Sequence, residues 1–181
     1  SSGARLARND VQVLLEAPGA SCTMSGLYFT SGRQHIDNHI NIDHAAPHTS
    51  SDLYFKGILA DSSRAVFSGG VLVRKDAQKT NARQADKNLI LSKGARVNTK
   101  PSLEIFADDV QCFHGATAGA VGLGALFYLR SRGIDEDTAR ELLVYGFASE
   151  ITERIRLAPL RDHLDRLLSG ARPRLQAGAS S

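Results

Sequence analysis

The run Gln34-His35-Ile36-Asp37-Asn38-His39-Ile40-Asn41-Ile42-Asp43-His44 alternates without a break. His35, Asp37, His39, Asn41 and Asp43 fall on one side, and Ile36, Asn38, Ile40, Ile42 and His44 on the other. Period two is the signature of a β-strand, whose successive side chains leave opposite faces. Working outward, the same period returns in short bursts: Val11, Val13 and Leu15; Val71 and Val73; Leu103 and Ile105; Val110 and Cys112. Turn-forming residues separate them, among them Pro18-Gly19, Ser31-Gly32, Ser68-Gly69-Gly70, Lys93-Gly94 and Lys100-Pro101. The spacing predicts roughly ten short strands between about Asp10 and His114. No repeat of fixed length stands out, and the pattern suits a sandwich, a barrel or an irregular β-helix.

Past Gly119 the period changes. Leu126, Tyr128 and Leu129, then Ala139, Leu142, Leu143 and Phe147, then Ile151 and Ile155 recur at helical spacing. Asp135 is placed to cap a segment whose first turn carries Glu136 and Asp137, where negative charge meets the positive end of the helix dipole. Arg132-Gly133 ends the helix before it, and Pro159 opens a third segment striped by Leu160, Leu164, Leu167 and Leu168. From Gly170 the composition turns to Gly, Ala, Ser, Pro and Arg, too poor in large apolar groups to order itself. The expected organisation is therefore a β region over residues 1–118, a helical region over 119–169 and a loose tail over 170–181.

The chain is 181 residues long, 42% apolar and 23% charged, with 22 basic against 19 acidic residues. That length can bury one good core. A surplus of three positive charges, spread without a basic run, is a weak basis for nucleic-acid binding. No apolar run approaches the roughly 18 residues of a membrane span, and Ser1-Ser2-Gly3 has no apolar segment behind it that would make a signal peptide. Cys22 and Cys112 stand in no metal-knuckle or redox spacing, which fits a reducing cytoplasm.

Two clusters carry possible chemistry. His35, Asp37 and His39 alternate on one strand face and have the ligand types of a transition-metal site, as in a metal-dependent β-fold enzyme. The commoner role for such a face is a hydrogen-bonded, solvated strand surface. Cys112 and His114, two residues apart, share a strand face as well. Thiolate and imidazole together suit iron or another borderline metal, but two ligands do not complete a sphere that usually takes four. The alternative is a buried cysteine acting as a small hydrophobe beside a hydrogen-bonded histidine. Phosphate-loop, dinucleotide-binding, nucleophile-elbow and zincin motifs are all absent from the sequence. Adjacent Asp108 and Asp109 read as a turn.

A specific resemblance runs through the chain. The stretches His35-Ile36-Asp37-Asn38-His39, His44-Ala45-Ala46-Pro47, Phe55-Lys56-Gly57-Ile58-Leu59, Ser63-Arg64-Ala65-Val66-Phe67, Ala77-Gln78-Lys79-Thr80 and Asn88-Leu89-Ile90-Leu91-Ser92 appear in order. They are followed by Thr99-Lys100-Pro101, Leu103-Glu104-Ile105, Ala107-Asp108-Asp109-Val110, Cys112-Phe113-His114-Gly115-Ala116-Thr117 and Leu126-Phe127-Tyr128-Leu129-Arg130-Ser131-Arg132-Gly133-Ile134. Together they resemble the SufB/SufD family of iron-sulfur cluster assembly proteins from about Asn9 to Leu168.

The resemblance implies a right-handed parallel β-helix followed by a small C-terminal helical bundle. It implies a non-catalytic scaffold that pairs through the end of its β-helix, as SufB with SufD or SufD with itself, and that docks the ATPase SufC through its C-terminal helices. It also places Cys112 and His114 in the family's Cys-x-His element, implicated in receiving iron or a nascent iron-sulfur cluster shared with SufB; no resident cofactor is expected in the isolated chain. For His35, Asp37 and His39 it supplies no ligand role. Three departures stand out. The match corresponds to the C-terminal portion of a longer protein. Phe113 replaces a small residue, and Gly122-Leu123-Gly124 replaces an acidic stretch, so that the first helix is expected to start near Ala125.

Overall fold

A computed structural model of the chain describes residues 4–170. Eight strands come first: β1 (Leu6–Leu15), β2 (Ser21–Thr30), β3 (His35–His44), β4 (Ser50–Leu59), β5 (Arg64–Val73), β6 (Asn81–Ile90), β7 (Arg96–Ile105) and β8 (Gln111–Gly119). Three helices follow: α1 (Leu123–Arg130), α2 (Glu136–Thr152) and α3 (Ala158–Gly170). The odd strands stack in the order β1-β3-β5-β7 and the even strands in the order β2-β4-β6-β8, every pair parallel. Two strands make one turn, so the chain winds four turns of a parallel β-helix. Of the three β architectures open to the sequence, this is the one that forms.

The repeat unit is the whole turn, which hid it from a search for short periods. Strands of the first sheet begin at Leu6, His35, Arg64 and Arg96, and those of the second at Ser21, Ser50, Asn81 and Gln111. The spacing wanders because the corners differ in length. The strands number eight and not ten, since two expected turns are strand interior. Gly69 and Gly70 lie inside β5, and Pro101 lies inside β7. Gly69 is required by close approach from across the interior: the Gln84 side-chain amide donates to its carbonyl at 3.1 Å, and a Cβ at 69 would collide with that amide. Pro101 is tolerated because β7 is the terminal strand of its sheet.

Alternation decides what fills the coil. Ile36, Ile40 and Ile42 from β3, Leu53, Phe55 and Leu59 from β4, and Ala65 and Phe67 from β5 form its main core, with the Phe55 and Phe67 rings 5.0 Å apart. His44, on the inward side of β3, is fully buried. Its Nδ1 lies 2.8 Å from Thr49 Oγ1 and its Nε2 2.9 Å from Ser51 Oγ, and burial lowers its pKa, keeping the ring neutral.

The helices cover the outer face of the second sheet, where Val144 and Ala148 pack on Ile58 and Leu89. Lys56 points to the same face and is buried. Its ammonium donates to the Phe147 carbonyl at 2.8 Å, pairs with Glu150 at 2.6 Å and sits 4.1 Å from the Phe147 ring centroid. Asp135 caps α2 as the sequence predicts, accepting from the Thr138 amide at 3.0 Å. Gly133 turns the chain between α1 and α2 with φ +82°. Helix α1 begins at Leu123 and not near Ala125: Gly122 precedes it in extended conformation without a side-chain cap. Ile155, read as helical, falls past the end of α2. The tail expected beyond Gly170 lies outside the described residues. Among those residues no helix is long and apolar enough to cross a membrane.

Candidate functional site

Every inner turn of the coil is covered by the next one. The fourth has no successor among the described residues, so β7 and β8 each keep one edge unpaired. The register carries Cys112 over Ala82 and His114 over Gln84, both of which are buried and inward-facing. Cys112 and His114 therefore share the inward side of β8, as their spacing predicts, at the open end of the coil.

Their environments differ. Cys112 packs with Leu103 and Val110 on Val71, Val73, Ala77 and Ala82, and is half-buried. Burial pushes its thiol pKa up, and a backbone bond to Ala82 opposes this only in part. The resting group is thus a thiol, and a bound cation is what would turn it into a thiolate ligand. His114 is exposed. The pair has the donor types for iron but supplies only two ligands, and the unpaired edge beside it is where further ligands from another chain could approach.

Apolar groups surround the same end. Ile105, Phe106 and Phe113 are exposed, Phe113 at 64%. Phe113 leaves the outer face and lines a cleft with Tyr54 and Arg83, so its bulk does not intrude between the two candidate ligands. Cys22 belongs to the same inward column as Cys112, three strands away through Ser51 and Ala82. At strand spacing that is about 14 Å, and both cysteines are free.

The β3 cluster is organised differently. His35, Asp37 and His39 face outward, and Asp37 is already engaged: His39 Nε2 lies 2.7 Å from its Oδ1, and Arg8 approaches its Oδ2 at 3.4 Å. Among the described residues no three His, Cys, Asp or Glu side chains gather closely enough to hold a metal ion. This face reads as a hydrogen-bonded strand surface.

One group of residues escaped the sequence reading. Below His114 the inward side of β6 carries Gln84, Asp86 and Asn88, all buried. Tyr28, whose ring lies where a Cβ on Gly57 would fall, donates to Asn88 Oδ1 at 2.5 Å, and Asn88 donates to Asp86 Oδ2 at 2.7 Å. Burial raises Asp86 to about 6 and raises Tyr28 as well. Asp86 Oδ1 and Gln84 Oε1 are buried without hydrogen-bond partners among the described residues. Polarity at every second position was the available signal.

Sequence comparison gives this coil of stacked turns a class. The family model described as the SufBD core domain of SUF-system FeS cluster assembly matches residues 1–147. The chain belongs to this SufB/SufD family of iron-sulfur cluster assembly proteins. It is 42% identical over 167 residues to an iron-sulfur cluster assembly SufBD family protein of Synechocystis, covering 92% of this chain and 37% of that protein. It is 35% identical over 175 residues to the iron-sulfur cluster assembly protein SufD of Escherichia coli, covering 94% and 41%. Protein ABCI7, chloroplastic, of Arabidopsis thaliana is 39% identical over 163 residues, covering 90% and 34%. The chain thus spans about two fifths of the length of the relatives it matches.

Proposed function

We propose that this chain is a non-catalytic scaffold of the SUF machinery that works in the cytoplasm with SufB and the ATPase SufC. In this reading it pairs through the open fourth turn with SufB or with a second copy, and Cys112 and His114 contribute ligands to iron or a nascent cluster passing through that interface. The observation that carries the reading is the coincidence at one place of an unpaired strand edge, exposed Ile105 and Phe106, and an inward thiol and imidazole. The cluster is cargo, so two ligands from this side are enough if the partner brings the rest. The helical end offers a separate surface for SufC, where Leu123, Phe127, Leu157, Leu160 and Leu167 are exposed.

The test is anaerobic reconstitution with iron and sulfide of the complex formed with SufB and SufC, comparing wild type with Cys112→Ala and His114→Ala. Loss of bound iron and of visible absorption in either variant, with the complex still assembled, is the expected result. Unchanged iron and absorption in both would reduce the chain to an interaction module and move the chemistry to SufB.

A further inference from the structure

At the corner where the chain enters the first sheet, Arg5, Arg33, His35 and Arg64 line a cleft of about 940 Å³ together with Gln34 and Ser62. We propose that this cleft binds a small, multiply charged oxyanion, of the pyrophosphate or tricarboxylate kind. The parallel register sets His35 beside Arg64 on neighbouring strands, and the adjoining corners bring Arg5 and Arg33 to the same cleft. Three guanidinium groups converging on one cleft repel one another unless an anion lies between them.

Several other cations of the molecule are met by a carboxylate. Arg8 meets Asp10 and Asp37, Arg74 meets Asp43, Lys79 meets Asp109, and Arg154 meets Asp52. Among the described residues, Arg5, Arg33, His35 and Arg64 enter no ion pair, and no carboxylate lines the cleft. Asp61, on the adjoining corner, is committed to the Gly32 amide at 2.6 Å. Gln34 accepts from the Ser31 amide through its Oε1, which leaves its NH₂ to donate outward.

The lining also defines the ligand. Guanidinium groups recognise carboxylate and phosphate through paired N–H donors, which a single chloride cannot use. The volume is that of a small-molecule site. The lining contains no Phe, Tyr or Trp on which a base could stack, so a compact anion fits better than a nucleotide or nucleic acid.

Isothermal titration of this chain with pyrophosphate and, separately, with citrate tests the site and distinguishes the two sources. Saturable binding of at least one at millimolar concentration or below is expected, weakening with added salt. Arg33→Gln and Arg64→Gln are each expected to weaken it by roughly tenfold, the loss of about one charge-assisted pair. Both positions are exposed, and circular dichroism checks that the variants remain folded. Absence of binding by both anions, or binding unchanged in the Arg33→Gln/Arg64→Gln double variant, overturns the proposal.

Discussion

The second and third turns of the coil and its fourth turn follow one alternation to opposite ends. In the inner turns the inward positions are closed: Ile42, Leu53, Leu59, Phe67 and Val73 are at most 1% exposed. In the fourth, the inward positions Val97, Thr99, Pro101, Leu103 and Cys112 are only half-buried, and His114 is exposed. Strand geometry is the same in both, and the cover differs. What makes the inner turns a core is the turn stacked on each side, and what makes the fourth a candidate site is the lack of one among the described residues.

The largest effect that would break this comparison is a stability difference between two phenylalanines. Phe67 is fully buried against Phe55, and Phe67→Ala is expected to cost about 3–5 kcal/mol in chemical denaturation of this chain. Phe113 is mostly exposed, and Phe113→Ala is expected to change stability by no more than about 0.5 kcal/mol. Equal losses at the two positions would show that the Phe113 ring is already covered in the isolated chain.

A smaller effect sharpens the comparison from inside the third turn. Asp86 has an ordinary carboxyl pKa of 3.8 and is raised by burial to about 6. The folded state therefore holds this proton more tightly than the unfolded chain. The group's contribution is fully present below about pH 4 and is lost as pH rises through about 6, by about 3 kcal/mol in total. Asp86→Asn removes the titration and keeps a side-chain carbonyl for Asn88, so it is expected to stabilise the chain at pH 7–8 and to be nearly neutral near pH 4. Denaturation midpoints measured across that range decide the matter, and a pH-independent difference would show that Asp86 is not closed off from water.

How much of this was legible follows from which faces carry apolar residues. Strand β3 announces itself because Ile36, Ile40 and Ile42 fill its inward side. Strand β6 does not, since Gln84, Asp86 and Asn88 occupy the equivalent side and Ala82 is the buried apolar residue there. Its inward polar group thus escaped notice. Gly69 and Pro101 were misread as turns because glycine and proline punctuate most chains, whereas here one makes room for Gln84 and the other sits in a terminal strand. The pairing of Cys112 with His114 needed only period two. Their place at an open end needed the stacking order, which depends on contacts about thirty residues apart that no local pattern encodes.

The smallest effect concerns the thiol at the boundary between the two regions. Cys112 is anchored in the last part of the core, and its burial raises the pKa above the ordinary 9.0. Alkylation proceeds through the thiolate, so iodoacetamide is expected to modify Cys112 slowly at pH 7 and faster with each step of pH toward and beyond 9, a dependence read by peptide mass spectrometry. Partner binding at the fourth turn would deepen the burial and slow the reaction further at every pH. Iron would act in the other direction on the proton, displacing it, while protecting the sulfur from the reagent. Slow alkylation that follows the thiolate fraction marks a thiol held by packing alone; rapid alkylation at neutral pH would mean that the fourth turn itself lowers the thiol pKa.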